Sequence, residues 1–292
     1  MQPLTPIVVA TDFSANAGRA VRRGALIAKQ LGAEMHLLHV VHPLDLYPGP
    51  DPAADFWLIH EQALQAAGKN RLDILAASLR KDYGIPVVPV TRIGRAHTEI
   101  ADYAAEKGAG LVVAGARGEN TLLDLLIGST ASRLLRLATF PVLIVKNAKV
   151  EPYQSAIAAV DFSPGSINAL ELVRTVASGA RIEVLHVYDT EHADRMQQAG
   201  MDGAFILDRQ ARVLKDAENR LDIELAGANE GKFTRNVMAA NPPTAICDRA
   251  KALRADLVVL GRHGKSGMQE LLLGSVSKDV AHVADCDVLL CY

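Results

Sequence analysis

Apolar residues in this chain fall in short runs, separated by longer stretches in which they recur every three or four positions. The runs at residues 6–11, 34–41, 85–93, 110–115 and 141–146 predict buried strands. Between them, apolar positions such as Ala17, Ala20, Val21, Ala25 and Ile27-Ala28 predict a helix that Ser14 caps and Leu31-Gly32 ends. Residues 55–83, 96–107 and 129–138 also read as helical. Residues 42–54 hold four prolines and read as an irregular loop. Pro89 interrupts the third strand, which predicts an edge position, because proline has no N–H for an inner ladder.

The pattern then starts again. Strands are expected at 156–160, 181–188, 231–238, 256–261 and 287–292. Residues 190–227 read as helical, and a further helix opens at Asn241-Pro242-Pro243, with Asn as cap and proline in the first turn. Strands alternating with helices indicate parallel sheets with helices on both faces. A repeat of this length is a duplicated domain, not a solenoid unit. The expected domains are 1–148 and 149–292, joined by a short linker around 147–154.

Candidate chemistry concentrates where the fourth strand of each half gives way to a helix. Gly115-Ala116-Arg117-Gly118 follows the run Leu111-Val112-Val113-Ala114; nine residues later come Gly128, Ser129 and Thr130. Gly261-Arg262-His263-Gly264 follows Leu257-Val258-Val259-Leu260, and Gly274, Ser275 and Val276 come at the same interval. Glycine lets backbone N–H groups approach a ligand with no Cβ in the way. A helix starting at Gly128 or Gly274 points unpaired N–H groups and its positive dipole end at that ligand. Both features favour phosphate. Gly264-Lys265-Ser266 echoes a P-loop, but Val259 stands where the first glycine of that motif belongs, so it is not a Walker A site.

Composition narrows the class without choosing a function. Apolar residues make up 49% of the 292 positions and aromatics only 4%, so the chain is globular with an aliphatic core. A net charge of −2 gives no electrostatic basis for wholesale nucleic-acid binding. No apolar stretch approaches the roughly 20 residues that span a membrane, and the N-terminus does not read as a secretory signal. Cys247, Cys286 and Cys291 form no C-x-x-C and fit a reducing cytoplasm, and Cys286 and Cys291 read as core filler. His36 and His39 point to opposite faces of a strand, which disfavours a metal site.

Three features occur twice: Asp-Phe-Ser after the first strand (Asp12-Phe13-Ser14, Asp161-Phe162-Ser163), Leu-His-Val in the second, and the glycine signature. Together they resemble the universal stress protein family in its tandem form, over essentially the whole chain. The resemblance implies two open, five-stranded parallel sheets of order 3-2-1-4-5, Rossmann-like in class. Ligands of such sheets bind at the topological switch point. Members carrying the glycine signature resemble ATP binders, so the implied ligand is ATP, with AMP or ADP as alternatives and Mg²⁺ as a possible companion.

On that resemblance, Asp12 and Asp161 contact the adenosine end, and Val40 and Val187 flank the base. Gly115, Gly118, Gly128, Ser129 and Thr130 hold ribose and phosphates in the first half. Gly261, Gly264, Gly274, Ser275 and Val276 do so in the second. The resemblance further implies an intramolecular pseudo-dimer through the two fifth strands; whether two chains associate stays open. Glu119 stands where Lys265 stands, which predicts tighter triphosphate binding by the second half. Gly94 is answered by Ala240, so the loop after the third strand is expected to differ.

Plainer readings accompany these. Ser129 and Ser275 at helix starts are expected as N-caps that can also touch phosphate. Asp12 and Asp161 can hydrogen-bond their own turns. His39 and His186 are expected at the sheet edge near the ligand. The expected role is a regulatory stress-response binding module and not a dedicated catalyst. The alternative is a slow ATPase, or an ATP-using phosphotransferase or adenylating enzyme, on the same fold.

Overall fold

The computed structural model describes residues 4–42, 54–117, 127–191, 197–226, 233–264 and 273–292, with the side chains of 54–61 left aside. The chain divides into two compact units, Met1–Glu151 and Pro152–Tyr292. In the first, β1 (Ile7–Ala10), α1 (Ala15–Leu31), β2 (Met35–Val41), α2 (Ala54–Tyr83), β3 (Val87–Ile93), α3 (Ala96–Glu106), β4 (Leu111–Gly115), α4 (Ser129–Leu137) and β5 (Val142–Val145) alternate. In the second, β6 (Ser155–Ala159), α5 (Pro164–Val176), β7 (Arg181–Asp189), α6 (Gly203–Leu225), β8 (Phe233–Ala240), α7 (Pro242–Leu253), β9 (Leu257–Gly261), α8 (Ser275–Val283) and β10 (Asp287–Cys291) repeat the plan.

Strand order is β3-β2-β1-β4-β5 in the first unit and β8-β7-β6-β9-β10 in the second. Every ladder within a unit is parallel. The expected order 3-2-1-4-5 is therefore present in each. The chain leaves β1 for β2 on one side and β4 for β5 on the other. The C-terminal ends of β1 and β4, and of β6 and β9, thus flank the switch point where a crevice opens.

Central strands carry the core. Ile7, Val8, Val9, Leu111, Val112 and Val113 are fully buried, as are Ile157, Leu257, Val258 and Val259. Such side chains contribute about 1.5–3 kcal/mol each on burial. The outer strand β3 pairs only with β2 and carries Pro89 opposite Leu37, as its missing N–H requires. It begins at Val87, two residues later than the apolar run suggests.

The helices pack on both faces of each sheet. In α1, Ser14 caps the first turn by accepting from the Ala17 N–H at 3.1 Å. Gly32, at φ +61°, closes the last turn on the Ala28 and Lys29 carbonyls. Small residues bring α1 close to the sheet: a Cβ at Gly24 would stand 2.5 Å from Val9 Cγ2.

His36 and His39 lie on opposite faces of β2. His36 Nε2 donates to Glu34 at 2.7 Å, and its Nδ1 accepts from the Tyr103 hydroxyl at 2.8 Å beneath α3. The second unit uses a different pair in that place. Glu183 takes a bidentate contact from Arg249 at 2.7 and 2.6 Å.

One expectation changes in part, and the expected difference after the third strand is present. Residues 190–227 are helical at 191, 197–198 and 203–225 among the described residues, but they are not one helix. The chain turns at Gly200 (φ +78°), and α6 begins only after Asp202, whose side chain accepts from the Ala204 N–H. After the third strand, Gly94 turns at φ +147°, a conformation Ala240 does not share. Instead β8 runs through Ala240 straight into the cap Asn241, which accepts from the Thr244 N–H. Among the described residues no helix is long and apolar enough to cross a membrane.

Candidate functional site

Both units build their switch point from the same parts. After β1, the Ser14 N–H donates to Asp12 Oδ1 at 3.0 Å, and the Phe13 N–H donates to Thr11 Oγ1 at 3.1 Å. This tight Asx turn holds Phe13 at φ +64°. After β6, the Ser163 N–H donates to Asp161 Oδ1 at 3.0 Å, and Phe162 stands at φ +62°. The plain reading of both aspartates is thus met through Oδ1. In Asp12, no described residue donates to Oδ2, which is left for other partners.

Each phenylalanine is held by a histidine and an arginine. The His39 ring lies 4.5 Å from Phe13, and the Arg71 guanidinium sits 4.2 Å over Phe13's ring centroid. His186 and Arg220 take the same positions about Phe162, at 4.7 and 4.2 Å. His39 Nδ1 lies 2.8 Å from the Thr11 carbonyl, and His186 Nδ1 lies 2.7 Å from that of Val160. A carbonyl only accepts, so Nδ1 carries the proton in both rings. The arginines escaped the sequence reading. The available signal was register: Arg71 and Arg220 stand equally far along the chain from Phe13 and Phe162.

The opposite wall comes from β4 and β9. Gly115 presses on the start of α1, where a Cβ would stand 3.1 Å from the Asn16 carbonyl oxygen. Gly261 is tighter: a Cβ there would stand 2.8 Å from the Ser166 nitrogen and 2.9 Å from the Gly165 carbonyl carbon. A Cβ on Gly264 would stand 2.9 Å from Asp161 Oδ2, so the glycine loop and the aspartate nearly touch. Gly118, Glu119, Lys265 and Ser266 lie outside the described residues.

The helix starts correct one expectation. Ser129 and Ser275 are not N-caps. Gly128 and Gly274 occupy those positions in extended conformations, and neither can supply a capping side chain. The Gly128 N–H donates to the Ala116 carbonyl at 2.7 Å, and the Gly274 N–H donates to that of Arg262 at 3.0 Å. The serines are therefore the first helical residues, and Ser129, Thr130 and Ser275 are exposed, with Val276 half-buried. Among the described residues nothing accepts from the first amides of α4 and α8, as an anion site requires. Val40 and Val187 are half-buried near the ends of β2 and β7, beside the histidines.

The two sites differ in how firmly the aspartate is held and in nearby charge. Asp161 also accepts from Ser163 Oγ at 2.6 Å and donates its own N–H to Ser166 Oγ at 3.2 Å. Ser14 Oγ accepts from the Ala17 N–H as Ser163 Oγ does from the Ser166 N–H, but among the described residues it makes no bond to Asp12. At the exit of β9, Arg262 is buried, its guanidinium 5.9 Å from the Tyr292 ring centroid. Burial lowers its pKa from the usual arginine range, yet it stays a cation at neutral pH. The first unit has Ala116 at that place. Among the described residues no three His, Cys, Asp or Glu side chains converge as a metal cluster.

Comparison with known proteins agrees with this geometry. The model of the universal stress protein family matches residues 3–146 and again 152–291. A universal stress protein of Mycolicibacterium smegmatis is 30% identical over 295 aligned positions, covering 97% of this chain and 96% of the relative. One from Methanocaldococcus jannaschii is 32% identical over 146 positions, half of this chain and 84% of its own. The crystal structure of a universal stress protein from Archaeoglobus fulgidus superposes with a TM-score of 0.73 at 20% identity, covering 100% of this chain and 99% of that one, a likeness of fold. The family model accounts for each half separately, and the chain belongs to the universal stress protein family.

Proposed function

We propose that each unit binds an adenine nucleotide, ATP foremost, and that the chain works as a regulatory binding module whose occupancy reports cellular state. The observation that carries this reading is the pair of helix starts capped by glycine backbone alone, in units whose aspartates stand at the switch-point ends of β1 and β6. The phosphates would lie on the first amides of α4 and α8. A ribose hydroxyl would donate to Asp12 or Asp161, which offer only acceptors when ionised. The half-buried Val40 and Val187 would flank the base. Gly264 fits this role because any side chain there would fill the space beside Asp161 Oδ2.

The second unit is the tighter site in this reading. It has a buried arginine at the strand exit, an aspartate held more firmly, and Lys265 in the loop where the first unit has Glu119. An enzyme reading finds less support in the sequence, which carries neither an S-G-G-x-D-S loop nor an H-x-G-H motif. Titration of purified chain with ATP, paired with native mass spectrometry, tests the proposal. One nucleotide per unit is expected, with negligible turnover. Absence of uptake at millimolar ATP refutes it, and turnover near the enzyme median of about 10 per second moves the reading to catalysis.

A further inference from the structure

Phe13 and Phe162 stand in the left-handed region, at φ +64° and +62°. A bulky side chain is rarely found there. Such backbone persists where its surroundings over-determine it. Here three contacts do so. A histidine tilted against each ring is tied to the carbonyl two residues back, Thr11 or Val160. Over the ring lies an arginine from the long helix, α2 or α6, at 4.2 Å in both units. Along the backbone, the following amide is bound to the aspartate.

We infer that Arg71–Phe13–His39 and Arg220–Phe162–His186 are clamps that hold the turn left-handed and thereby aim the aspartate's second carboxylate oxygen into the switch-point crevice. Arg71 and Arg220 are thus positioning residues for the ligand, one helix away from it. This rests on the reading that Asp12 and Asp161 bind the nucleotide.

The chemistry of the stack fits that assignment. Both guanidiniums are exposed, so covering the ring is not a matter of filling a core. A guanidinium lies flat on an aromatic face and is attracted to it, while its edges stay in water. The contact fixes the ring plane without burying a charge. If the arginine is lost, one face of the phenylalanine opens and φ relaxes toward negative values. The Asp12–Phe13 peptide then rotates, and the Ser14 N–H to Asp12 bond goes with it.

The two units depend on the clamp unequally. Among the described residues, Asp12 accepts only from the Ser14 amide, and it is exposed. Asp161 is half-buried and held in addition by Ser163 Oγ and through Ser166. Losing Arg71 should therefore disturb its aspartate more than losing Arg220 disturbs Asp161.

The test uses the full chain and ATP as the probe, with unit 2 silenced by Gly264→Val. Arg71→Ala should weaken ATP binding about two- to fivefold, the size of an exposed cation–π contact, whereas Arg71→Lys retains most of the affinity. In an Asp12→Asn background, Arg71→Ala should cost almost nothing more, since the residue it positions is already disabled. A second readout needs no ligand: the Ser14 amide resonance should shift in Arg71→Ala further than the Ser163 amide shifts in Arg220→Ala, with far-UV circular dichroism unchanged. Unaltered affinity with an unmoved Ser14 amide overturns the clamp. Equal loss with Asp12 intact or replaced also overturns it, because Arg71 would then act on its own. Failure of the unmodified chain to take up ATP removes the nucleotide reading itself, a distinct result seen before any variant is made.

Discussion

Gly115 and Gly261 occupy the same place in the repeat yet face different clearances, so one substitution made at both sites gives a sharp test. A Cβ on Gly261 would stand 2.8 Å from Ser166 N, 2.9 Å from Gly165 C and 3.3 Å from Ser166 Cα. All three atoms are backbone in the first turn of α5, which cannot swing aside as a side chain would. At Gly115 the nearest atoms stand at 3.1, 3.2 and 3.3 Å, so a shift of a few tenths of an ångström suffices. Gly261→Ala must displace the turn that carries Ser163 and Ser166, both of which bond Asp161. Overpacking of this kind costs about 1–3 kcal/mol, so we expect about 2 kcal/mol at Gly261 and under about 1 at Gly115. For a unit of this size the larger figure lowers the melting temperature by about 4–8 °C. Urea melts of the two variants followed by circular dichroism compare the costs. Gly261→Ala melting like the parent chain, or Gly115→Ala costing more, would refute the reasoning.

Three further outcomes follow. Gly264→Ala places a Cβ 2.9 Å from Asp161 Oδ2, so ATP affinity of the second unit should fall about tenfold, the scale of one displaced charge-assisted hydrogen bond, with little change in melting; a titration matching the parent chain would count against that aspartate as a ligand. Gly24→Ala drives a methyl to 2.5 Å from Val9 Cγ2, a β-branched side chain with little freedom, and should cost about 1–3 kcal/mol in denaturant melts. Cys247, Cys286 and Cys291 are all buried, and burial pushes the Cys291 thiol far above the ordinary cysteine range. Reaction with a disulfide reagent at neutral pH should accordingly be slow in the native chain and fast in urea; rapid native labelling would contradict the packing.

The repeat was legible because both of its signals are local. Strand runs such as Leu111-Val112-Val113 are buried on both faces and read as unbroken apolar stretches. Asp-Phe-Ser and the glycine spacings recur in full. The caps were less legible, because Ser129 beside Gly128 satisfies the composition rule for an N-cap, and only backbone geometry shows the helix beginning one residue earlier than that rule assumes. The division of the 190–227 stretch was illegible for a similar reason: its periodicity marks helix, and the turn at Gly200, φ +78°, that precedes α6 is a matter of backbone geometry. The arginine clamps left a single signal in the pattern, the equal spacing of Arg71 and Arg220 from Phe13 and Phe162. An exposed arginine on a long helix looks like any solvated residue until the fold lays it over Phe13 or Phe162.

The two sites share a backbone and differ in what surrounds it. In the first, Asp12 is exposed and among the described residues accepts only from the Ser14 amide, with Ala116 at the strand exit. In the second, Asp161 is braced by a hydroxyl as well, with the cation of Arg262 buried at the equivalent point. Under the proposed function these differences act in one direction, since a pre-aimed acceptor and a nearby positive charge both favour an anionic ligand. Unequal sites fill one after the other as ligand concentration rises. Duplication followed by divergence of the bracing residues would therefore widen the range of nucleotide concentration over which the chain responds, with no change to either sheet. A titration whose two binding steps coincide would remove the physical basis for that widening, even with both sites occupied.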